Sequence, residues 1–344
     1  KGKLLRFDDT SDESFVKLNE TLWSLSEHYH EDLINENISM DQFLTLLNFN
    51  SDMKGMVNAG FSNTLCTNSN DLSLKQSIRW TRLWNIESDE GEFKFKNSYA
   101  SLINYLKKDL TILTNTPVTK VERVIVSEDN SALNHVILTT KDGEKYYTKT
   151  TVISASPDVI KRNLIEFTPS LPSKKQLAFQ STYMHTAMKV FVKFSKVCWP
   201  KGLTGMIMTD PDFLFPEIWF RDVTDIVDPS SNQGVCYATG FATSGFADKI
   251  LTLSKEEVYR RFVEQLDVIF SELTPNHWLN KPVLSLPKPS EVFLGGTMQV
   301  WSPTNHPYIG GGYCSPRAGY PVTSGAMIAE PVDGLLYFSG EATN

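Results

Sequence analysis

LLYFSGEATN, residues Leu335–Asn344, runs an apolar strand straight into a turn of small residues carrying one carboxylate. A buried strand followed by such a turn ordinarily opens a helix. Taken alone, the segment reads as a buried strand and a plain helix cap. Other segments change that reading.

Working back along the chain, residues 292–321 read VFLGGTMQVWSPTNHPYIGGGYCSPRAGYP, a strand followed by glycine-rich loops. In TAMKVFVKFSKVCWP (186–200), Met188, Val190, Val192 and Phe194 alternate with Lys189, Phe191 and Lys193, the period of a strand with one buried face. Ser254 and Glu257 form a capping-box pair ahead of a helix carrying Val258, Phe262, Leu266, Ile269 and Leu273. Between 111 and 155 the pattern is strand-rich, with turns at Glu128–Asn130 and Lys141–Gly143 and a short apolar strand from Thr151. Tyr99, Leu102, Ile103, Leu106 and Leu110 make an amphipathic helix. The first ninety residues read helical, from a capping pair at Thr10 and Glu13, with 51–70 as loop or short helix.

The 344 residues are 41% hydrophobic and 21% charged, an ordinary globular balance with room for two domains. A net charge of −7 argues against a nucleic-acid surface. No stretch has the apolar length to cross a bilayer. Lys1 is not an initiator Met, so natural termini are expected to be absent and the compartment stays unknown, with a soluble, cytoplasmic protein as the default. The four cysteines form no CxxC pair and the six histidines no ligand cluster, so no metal is expected.

Four segments together resemble the flavin amine oxidase family, which includes monoamine, polyamine and L-amino-acid oxidases. They are LTILTNTPVTKVERV (110–124), TAMKVFVKFSKVCWP, IGGGYCSPRAGYP (309–321) and LLYFSGEATN, in the family's order. The resemblance implies an α/β fold of two interleaved domains. One is a partial Rossmann-like FAD-binding domain; the other is a substrate domain with a mixed sheet flanked by helices. Residues 93–165 and 300–344 fall to the FAD domain, and 1–92 and 166–299 to the substrate domain.

The resemblance also implies roles. Gly340 and Glu341 line FAD, with Thr343 near a helix start: glycine permits close backbone approach, a carboxylate accepts from ribose or ribityl hydroxyls, and a helix N-terminus receives a pyrophosphate. Val118 offers a backbone group to the adenine. Lys189 aligns with the lysine that holds a water near the flavin and stabilises charge as O2 is reduced; the plain alternative is a lysine on a solvated strand face. Tyr313 aligns with one wall of an aromatic cage that orients an amine. Gly312 stands where the monoamine oxidases carry the cysteine bonded to FAD, so a non-covalent flavin is expected. Trp301 flanks the pocket.

The implied reaction is oxidation of an amine C–N bond to an imine, hydrolysis of the imine, and reduction of O2 to hydrogen peroxide. The chain has no GxGxxG and no helix after GEATN, so it is expected to be a fragment of a longer oxidase, inactive alone. Arg221 and Arg317 are candidate partners for a substrate carboxylate; monoamine, polyamine and amino acid all stay open. The alternatives are another flavin oxidoreductase, desaturase-like, and a non-catalytic interaction protein derived from an oxidase.

Overall fold

A computed structural model describes residues 4–6, 10–87, 98–126, 134–227, 234–273 and 286–343. The turn expected at 128–130, the boundary at 92/93 and Asn344 lie outside these residues.

The helical first part builds on its caps. Asp12, not Thr10, caps helix Glu13–Trp23, its carboxylate accepting from Ser14 and Phe15 N–H at 3.1 Å. An aspartate two residues later outcompetes the threonine because it reaches two orphan donors. Ser39 and Gln42 form a reciprocal capping box on helix Met40–Leu46. Asn50 caps helix Ser51–Val57, which passes into a π-helical turn, Asn58–Ser62. Phe15, Leu18, Phe43, Leu44 and Val57 share one apolar cluster.

Thirteen strands follow in the described residues: β1 Val118–Val124, β2 His135–Thr140, β3 Lys145–Thr148, β4 Thr151–Ile153, β5 Glu166–Thr168, β6 Thr182–Met184, β7 Ala187–Phe194, β8 Gly205–Ile207, β9 Glu217–Val227, β10 Gly234–Thr243, β11 Phe293–Trp301, β12 Cys314–Pro316 and β13 Leu336–Phe338. They form a four-stranded sheet, β3-β2-β1-β5, a five-stranded sheet, β11-β7-β10-β9-β8, and two pairs, β12-β6 and β13-β4. The five-stranded sheet is antiparallel at every pairing. Parallel pairing occurs between β1 and β5 and between β4 and β13. This mixed α/β fold interleaves along the chain: β4 finds its partner only in β13, after the whole five-stranded sheet has been laid down.

The alternation along β7 sets the core. Met188, Val190, Val192 and Phe194 are all 0% exposed, in one cluster with Val258, Phe262 and Leu266 of helix Lys255–Val268. Burial of each such side chain contributes about 1.5–3 kcal/mol. Ser254 caps that helix by accepting the Glu257 N–H at 3.2 Å. Lys189, Phe191 and Lys193 point to the other face of the sheet.

One amphipathic face behaves differently. Helix Ala100–Leu106 forms, yet Tyr99, Ile103 and Leu106 stay more than half exposed, as does Leu110 beyond it. Its apolar periodicity is real, but these side chains stay largely exposed.

Candidate active site

Two regions carry the residues that sequence singles out. The first lies at the carboxyl ends of the parallel strands β4 and β13, the end at which open α/β sheets bind ligands. A cavity of about 210 Å³ opens there, lined among others by Ser154, Ser156, Gly312, Gly340, Glu341 and Thr343. Gly340 has φ +136°, a conformation only glycine adopts readily, and a side chain there would meet nothing nearer than the Ser154 carbonyl at 4.0 Å. The backbone is therefore bare toward the cavity. Thr343 donates its N–H and hydroxyl to the Gly340 carbonyl at 3.1 and 2.7 Å, closing the single turn Glu341–Thr343. The Glu341 carboxylate accepts the Cys314 N–H, with both oxygens at 3.2 Å. That bond joins the closing segment to the glycine-tyrosine loop.

These features suit a flavin nucleotide: bare glycine backbone, two serines and a carboxylate at a strand–turn edge. The volume is below the roughly 300–1,000 Å³ of a whole-ligand pocket, so the cavity has room for part of such a group. Val118 is not among them. It opens β1 in the other sheet, half-buried beside the cluster that holds Ile153, Leu336 and Phe338.

The second region joins the glycine-tyrosine loop to the five-stranded sheet. Gly312 donates its N–H to the His185 carbonyl at 3.0 Å. A Cβ at 312 would lie 2.6 Å from Ala187 Cβ and 2.9 Å from Cys66 Sγ, so the site has no room for a cysteine. The Tyr313 hydroxyl donates to the Thr64 carbonyl, and burial pushes its phenol far above the ordinary value. Burial also pushes the Cys66 thiol up to about 11 and raises that of Cys314, which Glu341 raises further.

Lys189 sits on the open face of the sheet, exposed, with its ammonium 5.5 Å from the centre of the Phe241 ring. A single row crosses the five strands there: Gln299, Lys189, Phe241, Glu217 and Ile207 are successive cross-strand partners. Glu217 is 4% exposed. Its carboxylate accepts from Asn63 Nδ2 at 2.9 Å, Thr64 Oγ1 at 3.0 Å and Trp219 Nε1 at 2.7 Å. Burial raises its pKa, opposed by these three donors and by the Lys189 charge. Trp219 is 52% exposed on the same face. Trp301 ends β11 opposite Ala187, half-buried and in phase with Gln299.

The geometry thus brings Lys189 and Tyr313 to one neighbourhood, and Gly312, Gly340, Glu341 and Thr343 to one cavity beside it. Arg221 lies exposed on β9, and Arg317 sits 3.7 Å from Asp71 and over the Tyr183 ring. Sequence reasoning misses Asn63, Thr64, Phe241 and Glu217. The signal for Glu217 is a carboxylate at the head of an aromatic strand, EIWF, directly after Pro216.

Comparison with known proteins gives the family and the fold. The family model of the flavin containing amine oxidoreductases matches residues 20–344. Polyamine oxidase 4 of Oryza sativa subsp. japonica is 27% identical over 249 residues, 72% of this chain and 44% of its own. Lysine-specific histone demethylase 2 of Homo sapiens is 24% identical over 252 residues, 72% of this chain and 27% of its own. The chain spans less than half the length of these curated relatives. Cyclohexylamine oxidase from Brevibacterium oxydans IH-35A superposes with a TM-score of 0.71 at 17% identity, covering 99% of this chain and 71% of that one. Putrescine oxidase bound to putrescine gives 0.69 at 17%, covering 100% and 72%. The family match spans nearly the whole chain, and the chain belongs to the flavin-containing amine oxidoreductases.

Proposed function

We propose that the full-length protein oxidises an amine C–N bond to an imine with FAD and passes the electrons to O2. The observation that carries this reading is the adjacency of the Gly340–Glu341 cavity, through the loop that bears Tyr313, to a sheet face bearing Lys189, Phe241 and Trp219. FAD supplies the two-electron chemistry; the chain's residues bind, orient and stabilise charge.

Gly340, Glu341 and Thr343, with the serines of the cavity, would hold the cofactor, and its attachment is non-covalent because Gly312 offers no thiol. The faces of Trp219 and Tyr313 attract an amine through their quadrupoles and orient it. Lys189 presents an ammonium at the same face, where it holds a water for imine hydrolysis and offsets negative charge on reducing O2. Trp301 walls the same side. Residues 93–165 and 300–344 serve the cofactor, and 1–92 and 166–299 the substrate, with Val118 at the adenine end.

The test is the visible spectrum of the full-length protein, followed by anaerobic addition of monoamines, di- and polyamines, and amino acids. A yellow protein bleached by one amine class, with peroxide formed on readmitting air, is the expected result. A protein that stays colourless with added FAD, or a flavin that no amine bleaches, overturns the reading and favours the non-catalytic or desaturase-like alternative respectively.

A further inference from the structure

Every partner of the Glu217 carboxylate is a donor. Trp219 Nε1 has only a proton to give. The Asn63 amide is fixed in orientation, because its oxygen accepts the Thr243 N–H at 2.8 Å and so its nitrogen faces Glu217. Thr64 donates its hydroxyl to the same carboxylate oxygen as Asn63. Thr64 then turns its own carbonyl to the Tyr313 hydroxyl. One buried carboxylate thus touches Trp219 directly and Tyr313 at one remove, joining two elements that are distant in sequence.

We propose that Glu217 is a positioning residue that holds Trp219 and, through the Asn63–Thr64 turn, Tyr313 in one fixed relation across the amine-facing side of the sheet. The location of an amine at that face rests on the function proposed above; the mechanical link does not. An isolated buried carboxylate is costly, and three hydrogen bonds to a charged acceptor each contribute more than a neutral one. Exchanging the carboxylate for an amide sets an NH2 donor against the donors on one side, so the turn carrying Thr64 and the indole are no longer both held. The competing account is that Thr243, which also donates its hydroxyl to the Asn63 carbonyl at 3.0 Å, holds the turn unaided.

The experiment is a double-mutant cycle on the full-length protein using Glu217→Gln and Tyr313→Phe, read by thermal midpoint. Linked residues give a non-additive cycle: Tyr313→Phe lowers the midpoint of the wild type but hardly that of Glu217→Gln. An additive cycle overturns the link and leaves Thr243 as the anchor. If Glu217→Gln does not fold, the mild pair Trp219→Phe and Tyr313→Phe reads the same connection, with additivity again overturning it. A second readout is labelling the tryptophans with 5-fluorotryptophan: the resonance missing in Trp219→Phe shifts in Glu217→Gln, and an unmoved resonance overturns the direct contact. In turnover, Glu217→Gln raises the amine KM by about tenfold with kcat changed less than about threefold. A wild type that turns over no amine refutes the proposed function while the cycle still decides this inference.

Discussion

Lys189 and Glu217 stand two strands apart on one row of the sheet, each the cross-strand partner of Phe241. The ring between them carries the lysine ammonium on its face, so cation, aromatic and carboxylate form a short sequence along one surface. The carboxylate is buried and fully bonded; the ammonium is exposed. Under the proposed function, that asymmetry gives the chemistry to Lys189 and the scaffolding to Glu217.

Replacing Lys189 by Met keeps the stem and removes the charge. On the exposed face the change leaves folding intact, since surface substitutions stay within about 0.5 kcal/mol. In the full-length protein the expected outcome is unchanged flavin content with amine-dependent peroxide release down by about 10²-fold or more, the scale of losing one charge-stabilising donor. A peroxide assay at saturating amine checks it; an unaltered rate removes Lys189 from the mechanism.

Gly340 tests the cofactor side. Its φ of +136° makes any side chain there strained, at about 1–3 kcal/mol, although space is open. Gly340→Ala is expected to fold with a lowered midpoint and to lose flavin, because the added methyl stands on the bare backbone facing the cavity. The ratio of flavin to protein absorbance measures it, and a full complement of flavin in the variant would remove Gly340 from the cofactor contacts.

Under the proposed function, Gly312 bears on how the flavin is held. A Cβ added there would meet Ala187 Cβ and Cys66 Sγ within 3 Å, so overpacking of about 1–3 kcal/mol is expected for Gly312→Ala. Acid precipitation of the wild type is expected to leave its flavin in the supernatant. Flavin that stays with the pellet means a covalent bond made elsewhere.

The parts of this site legible in sequence are those that repeat. The face of Lys189 is readable because β7 alternates strictly, with four fully buried residues on the opposite side; its role is what the family resemblance implies. Gly340 and Glu341 are singled out by the family resemblance, since a strand ending on them reads by itself as a plain helix cap. Glu217 is not, since its donors Asn63 and Thr64 lie 154 and 153 residues away. The 51–70 stretch reads as loop or short helix because it is rich in Asn, Ser and Gly. Its polar groups turn inward and satisfy one another: Ser62 bonds Ser69 at 2.8 Å, and Asn58 accepts the Ser69 N–H at 2.9 Å. Polar pairing of this kind has no period to read. The helix with Tyr99 and Ile103 is the converse, a clear period whose apolar face stays largely exposed.

Alkaline pH offers a test of the core of the five-stranded sheet. Burial pushes the Cys198 thiol up to about 12 and raises that of Cys236 in the same cluster. A thiol raised in the folded state stays protonated there while the unfolded chain ionises at about 8.5. Its stabilisation is therefore whole below that pH and is lost as pH rises toward the folded value. Lys175, held down to about 8 by burial against the end of helix Ser324–Ala329, acts in the opposite sense between there and the unfolded value of about 10.4. The comparison must therefore be between variants. Cys198→Ala removes one such proton, and its urea stability is expected to fall less steeply than the wild type's above about pH 8.5, by about 1.4 kcal/mol per pH unit. Parallel slopes would mean that the thiol ionises as freely in the core as in the unfolded chain, and that the Phe194–Trp199 packing in its cluster admits water.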